Sequence, residues 1–373
     1  MNGNGQKTVY LDNSATTPLS EAAKAAVTEA MECFGNPSSL HTMGADAERL
    51  VALSRDRITS ALGVRRGQGT VVFTSCGTEA TSLAIFGTAY AKTRREASRI
   101  LTTDSEHPAT ARALESLERS GFEVVRIPTR GGVLDMNALE SALDKKIFMA
   151  SFMLVNNETG AINDIAAIAK AAKAVSPDVI VHCDAVQGFL KTAQSPLPHA
   201  DAVSISAHKI GGPKGVGALF VSEKILKTKS LSPVIFGGGQ ENGLRSGTEN
   251  VIGIAGFGEA AKAGSAALMK NLAGFAELRA YFTEKVSEAF GEGVRINEPK
   301  SDKKASHIIS LTVRGYRSET LLHSLSAYGI YVSSGSACAS NTGHSSYVLR
   351  SFGLSDADTD STLRISLGQQ NTK

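Results

Sequence analysis

Between residues 70 and 221 short apolar runs recur at intervals that leave room for a helix between most of them. Strand-like runs fall at 70–74, 99–103, 122–127, 147–154, 179–183, 202–206 and 217–221. Most are apolar at nearly every position and not at alternate ones, as in strands buried on both faces. Segments 78–91, 108–120 and 164–175 are helix-favouring and lie between them. This alternation predicts an α/β fold, a mostly parallel sheet covered by helices.

The pattern changes near residue 250. An Ala-rich, helix-favouring stretch runs to about 290, then a strand at 307–313, a helix at 318–327 and strands at 330–332 and 363–367. The expected division is a large domain over 15–255 and a smaller α/β domain over 1–14 and 256–373. The long helix would join them. At 373 residues the chain exceeds the roughly 250–300 at which single cores stop growing.

Composition changes this picture little. The chain is 42% apolar and 20% charged with a formal charge of +3, too small to predict nucleic acid or an anionic membrane as a direct partner. No apolar run reaches the roughly 18 residues of a membrane span. The polar start, Met1 to Lys7, lacks the apolar core of a signal peptide, so a cytoplasmic location is the expectation. The four cysteines, Cys33, Cys76, Cys183 and Cys338, form no C-x-x-C pair and suggest neither a disulfide framework nor a zinc site.

Three segments carry candidate chemistry. Ser206-Ala207-His208-Lys209 follows an apolar strand and precedes a glycine-rich loop. A lysine held there and partly desolvated favours the neutral amine that a Schiff base needs, although a surface lysine is the plain alternative. Asp184 ends another apolar strand, at the edge where open α/β sheets bind ligands. There it can keep the pyridine nitrogen of pyridoxal phosphate protonated, with Gln187 donating to the ring oxygen; a helix cap is the alternative. Ser75-Cys76-Gly77-Thr78-Glu79 joins a strand to a helix, and its backbone N–H groups and the Thr78 hydroxyl suit a phosphate. Gly77 would allow close approach.

With these pieces in place the chain resembles the cysteine desulfurases of the class V aminotransferase group, within the fold-type I pyridoxal phosphate enzymes. The likeness runs from Tyr10 to Gly368. It rests on Tyr10-Leu11-Asp12-Asn13-Ser14-Ala15-Thr16-Thr17-Pro18, Phe34-Gly35-Asn36-Pro37-Ser38-Ser39, Glu106-His107-Pro108, Asn156-Asn157-Glu158-Thr159-Gly160, Asp184-Ala185-Val186-Gln187 and Ser206-Ala207-His208-Lys209. Arg245-Ser246-Gly247-Thr248, Ser333-Ser334-Gly335-Ser336-Ala337-Cys338 and Arg364-Ile365-Ser366-Leu367-Gly368 complete it. The resemblance implies that Lys209 carries the cofactor and shuttles the substrate α proton. Asp184, Gln187, His107 and Asn157 would surround the ring. Thr78, Ser206 and His208 would hold the phosphate, and Thr248 would reach it from a neighbouring subunit of a homodimer. Asn13 and Arg364 would receive the carboxylate of L-cysteine, with Asn157 beside it. Taken singly, His107 also suits a helix cap, Arg364 a core-edge salt bridge, and Asn13 and Asn157 turns.

The scaffold alone leaves the reaction open. Cys338 narrows it, because its neighbours are small and polar where a packing cysteine would have apolar ones. It reads as an exposed thiol on a loop, suited to take sulfur from bound L-cysteine as a persulfide and leave L-alanine. His107 would carry the proton of the substrate thiol. The long serine-rich segment is similar to the subgroup that serves iron–sulfur scaffold proteins and tRNA thiolation. A selenocysteine lyase or a pathway-specific desulfurase is the alternative. Two departures stand out: the chain stops at Lys373, where members usually continue into a helix, and His344 lies in an unusual Asn341-Thr342-Gly343-His344 stretch.

Overall fold

A computed structural model describes residues 8–65, 67–92, 98–301, 303–335 and 346–373. The chain begins with β1 (Val9–Tyr10), α1 (Glu21–Met31) and α2 (Thr42–Ala61), and continues with β2 (Gly69–Thr74), α3 (Gly77–Ala91), β3 (Arg99–Thr103), α4 (Pro108–Arg119) and β4 (Glu123–Ile127). A ribbon of β5 (Thr129–Arg130) and β6 (Val133–Leu134) precedes α5 (Met136–Ala142), β7 (Ile147–Met153) and α6 (Ile165–Val175). Next come β8 (Ile180–Asp184), β9 (Ala202–Ser206), β10 (Gly217–Ser222), α7 (Glu223–Thr228) and α8 (Val251–Phe290). The remainder is β11 (Val294–Ile296), β12 (Ile308–Val313), α9 (Ser318–Ala327), β13 (Ile330–Tyr331), β14 (Ser333–Ser334), α10 (Tyr347–Phe352), α11 (Asp356–Asp360) and β15 (Thr362–Ser366).

Seven strands form the large sheet in the order β2-β10-β9-β8-β7-β3-β4. All neighbours pair in parallel except β10, which is antiparallel to both β2 and β9. The exception has a simple cause. Residues 207–216 between β9 and β10 are too few for the crossover that a parallel neighbour needs. Every residue of β7 and β8 is buried, as the unbroken apolar runs require. His182, one of the two polar members of β8, bridges to Ser151 and Ser204 Oγ at 2.8 Å each. Burial pushes its pKa down to about 3, so it stays neutral inside the sheet.

The stretch from 250 onward is one helix of 40 residues, about 60 Å long at 1.5 Å per residue. Its first half packs on α1 and α2. A Cβ at Gly256 would sit 2.6 Å from Val27 Cγ2, and one at Gly258 2.7 Å from Ser54 Cα, so glycine permits that close packing. Its far end meets a second sheet of order β11-β12-β15-β14, all antiparallel. Ile309, Leu311, Leu363 and Ile365 form a separate core there, covered by Phe282 and Val286 of α8. The N-terminal segment joins this side: β1 pairs with β13, and Asp12 bridges to Ser366. It then crosses to the large sheet, where Thr17 N–H donates to His208 O at 2.9 Å. Among the described residues, no helix is long and apolar enough to cross a membrane.

Candidate active site

The carboxyl ends of β2, β3, β7, β8 and β9 lie along one edge of the large sheet, and a cavity of about 190 Å³ opens there. Lys209 enters it from the short 3-10 turn Ala207–Lys209 that follows β9. Its Nζ donates to Ser14 O at 2.6 Å and Ala15 O at 3.0 Å, so it is no free surface lysine. Asp184, 6% exposed, closes β8 and lines the same cavity. It also accepts from Val186 N–H at 3.0 Å, so the turn-capping role and the site role coexist. Burial raises its pKa, while His107, that hydrogen bond and Lys209 pull it back down.

The phosphate side is built on α3. A Cβ at Gly77 would lie 2.9 Å from Val186 Cγ2 and 3.3 Å from Ser206 Cβ, so only glycine brings the helix start this close to the strand ends. Thr78, Ser206 and His208 line the cavity beside it. His208 pairs through Nδ1 with Thr16 Oγ1 at 3.2 Å, and burial with nearby lysines pushes its pKa down to about 4. Ser206 Oγ, Thr81 Oγ1, Asn157 Oδ1 and Gln187 Oε1 are buried with no hydrogen-bond partner, and all four residues line this cavity. Buried polar atoms are rarely left unpaired, so such a cluster marks the place of a polar ligand. Amine, carboxylate, imidazole, hydroxyls and helix N-terminus together fit pyridoxal phosphate. Gln187 differs in one respect from expectation: its Nε2 already donates to Ser14 O at 2.8 Å.

His107 is the N-cap of α4, with Nδ1 accepting from Ala109 N–H at 3.1 Å. The capping alternative is therefore real, and it has a chemical effect. With Nδ1 accepting, the neutral ring carries its proton on Nε2. Burial lowers the pKa, opposed by Asp184 and reinforced by Lys209 and Arg364.

Arg364 of β15 is 7% exposed. One terminal nitrogen donates to Asp12 Oδ1 at 2.9 Å and the other to Asn157 O at 3.2 Å, while Nε is buried without a partner. The salt bridge thus orients a guanidinium that keeps donors in reserve. The Asn13 amide is fully buried, donating to Ser366 O at 2.9 Å and accepting from Gln370 Nε2 at 3.0 Å. Its side chain ties the N-terminal segment to β15. Thr248 is exposed and lines a separate recess of about 100 Å³ with Ser75 and Arg245. Cys338 and His344 lie outside the described residues.

Three enclosed charged residues near the site, none of them lining the cavity, escaped sequence reasoning. Glu106 Oε1 accepts from Thr103 Oγ1 at 2.7 Å and Met153 N–H at 3.1 Å, and burial pushes its pKa up to about 8. Glu158 accepts from Ser346 Oγ at 2.6 Å, and burial raises it to about 7. Lys191, 6% exposed and with Nζ unpaired, is pushed down to about 7 by burial. Each stands in or beside a motif whose neighbouring residues took the attention.

A family model described as Aminotransferase class-V matches residues 9–373. The cysteine desulfurase IscS of Dictyoglomus turgidum is 37% identical over 372 residues, 99% of this chain and 91% of the relative. This chain belongs to the cysteine desulfurase family. Cysteine desulfurases are pyridoxal phosphate enzymes, and the cavity holds the groups that this cofactor needs. Solved structures agree in fold. A NifS-like protein superposes with a TM-score of 0.89 at 32% identity, covering 98% of this chain and 95% of the other. SspA in complex with cysteine gives 0.81 at 30% identity, covering 96% and 99%. The α/β architecture expected from the strand pattern, and the fold type I that the resemblance implied, are therefore those of this cysteine desulfurase family member.

Proposed function

We propose that this pyridoxal phosphate-dependent cysteine desulfurase moves the sulfur of L-cysteine onto Cys338 and releases L-alanine. The observation that carries the reading is the convergence of Lys209, Asp184 and His107, from three different strand ends, on one cavity rich in unpaired polar atoms. Bound at Lys209, the cofactor supplies an electron sink for the pair left when the substrate loses its Cα proton. Asp184 would hold the pyridine nitrogen, and Gly77, Thr78, Ser206 and His208 the phosphate. Arg364 would grip the substrate carboxylate beside Asn157, and the Lys209 amine would move the Cα proton. His107 Nε2 would carry the proton of the substrate thiol.

The Cys338 thiolate then bonds to the substrate sulfur as its Cβ–Sγ bond breaks. The bonding pair stays with carbon, which takes up protons and leaves as alanine. L-cysteine and the Cys338 thiol thus give L-alanine and a persulfide, with no further oxidant or reductant. The IscS name of the relative suggests an iron–sulfur scaffold protein as acceptor. We further propose a cytoplasmic homodimer in which Thr248 completes the partner's phosphate site. Residues 15–255 would carry the cofactor, and 1–14 with 256–373 would carry Arg364 and Cys338.

Cys338→Ser tests the reading, because a hydroxyl of similar size is un-ionised near neutral pH. The holoenzyme should still change its visible spectrum on adding L-cysteine, yet release no alanine and form no protein-bound persulfide. Near-normal alanine release would make the protein a direct β-lyase.

A further inference from the structure

A second cavity, of about 390 Å³, lies between the start of α1, the helix α8 and the segment that follows β15. Among the described residues it shares only Lys209 with the cofactor cavity. Helix α8 gives it an apolar wall of Ala260, Ala263 and Phe275. Several of its polar groups are already engaged. Thr17 Oγ1 donates to His208 O at 2.9 Å, Ser20 Oγ caps α1 by accepting from Ala23 N–H at 3.2 Å, and Lys24 pairs with Glu21 at 2.6 Å.

Lys191 is not engaged. It lines the cavity, is 6% exposed, and its Nζ is buried with no hydrogen-bond partner. Its backbone is held in place: its N–H donates to Gly188 O at 3.0 Å, and Leu190 before it has a φ of 56°, where a branched side chain sits at a cost. Burial pushes the pKa of the amine down to about 7, and the positive charges of Lys209 and Arg364 act in the same direction. Glu21, the one acid among the described residues that line the cavity, is exposed and paired with Lys24. Burying an ammonium among cations is costly, and an unpaired buried polar atom is uncommon. An anion on Nζ would answer both. A carboxylate suits these walls, since it brings two acceptor oxygens at one end and an apolar chain for α8 at the other.

We propose that this second cavity is a binding site for a small aliphatic carboxylate, held by the Lys191 ammonium with its chain against Ala260, Ala263 and Phe275. The site is separate from the sulfur chemistry proposed above and does not rest on Cys338.

The test titrates propionate, labelled with carbon-13 at its carboxyl, into the holoenzyme and follows its line width. Arg364 also attracts a carboxylate, so the comparison is made in the Arg364→Lys protein, whose substrate site is weakened. Propionate should still bind there. Adding Lys191→Met should weaken it on the order of 10–100-fold, the scale of a hydrogen bond to a charged group, while the protein keeps its cofactor. Propionamide, of the same shape but uncharged, should bind as weakly with Lys191 as with methionine. Ala263→Leu narrows the apolar wall without touching the amine, so it should weaken propionate as well, and it carries the test where Lys191→Met fails to fold. Undiminished propionate binding in Lys191→Met, or in Ala263→Leu where that one stands in, would overturn the site. Propionamide binding as tightly as propionate would also overturn it, leaving an apolar cavity with no role for charge. So would loss of all propionate binding on Arg364→Lys alone, which would put the ligand in the substrate site.

Discussion

Replacing Arg364 with lysine tests the proposed recognition of the substrate carboxylate apart from everything else the site does. A guanidinium has five donors. Two of its hydrogen bonds go to Asp12 Oδ1 and Asn157 O, and the buried Nε is unpaired. The planar group can keep both structural contacts while offering a carboxylate two parallel bonds. A lysine ammonium is a point donor that cannot copy that fork. Losing one charge-assisted hydrogen bond costs about 1.5–3 kcal/mol, so kcat/KM for L-cysteine should fall about 10- to 140-fold. The fall should sit in substrate binding, read by titrating the visible band of the holoenzyme with L-cysteine, while the resting spectrum stays as in the wild type. Cysteamine, which lacks the carboxylate, supplies the control: its binding should be equally weak in both proteins. If Arg364→Lys weakened cysteamine as much as cysteine, the arginine would act only through Asp12 and the packing of β15. An unchanged response to L-cysteine would refute the carboxylate assignment outright.

Two further outcomes are expected. Inactive Lys209→Ala and inactive Thr248→Ala chains, mixed equally, should recover about a quarter of wild-type turnover, because half of the dimers would contain one complete site; no recovery in verified mixed dimers would remove Thr248 from the partner's site. Glu106, raised by burial from 4.5 to about 8, binds its proton more tightly folded than unfolded. Its favourable contribution is therefore full below pH 4.5 and is lost as pH rises through about 8. Glu106→Gln, which mimics the protonated form, should flatten that decline in a Tm-against-pH series, and an unaltered slope would contradict the assignment.

Much of this molecule was legible because its strands are long enough to show a pattern. The apolar runs of β7, β8 and β9 and the helix α8 stand close to where composition put them. The short pieces β11, β14, α10 and α11 were not seen, since two to six residues hold too little periodicity to register. At the site, Lys209, Asp184 and Gly77 were readable from their places at strand and helix ends. The partners of Asn13 were not legible, because a turn asparagine gives no sign of where its amide points. In the fold that amide is taken by Ser366 and Gln370, which lie more than 350 residues away in sequence. Glu106, Glu158 and Lys191 were passed over for a related reason. Charge in a sequence suggests solvent, and only three-dimensional packing shows that these three are enclosed.

The pairing of β1 with β13, and of Asp12 with Ser366, has a consequence for how the molecule is made. Residues 9–12 are made early, yet their partners at 330–331 and 366 follow only after the whole large sheet has been synthesised. The seven strands of the large sheet are complete by Ser222, so that sheet can assemble while the rest of the chain is still being translated. The seam formed by these pairings can close only once residues 330–331 and 366 have been made, across a long sequence separation. Arg364 and its partner Asp12 meet at that seam. A nascent chain can thus hold the residues that wall the cavity well before Arg364 and Asp12 can meet.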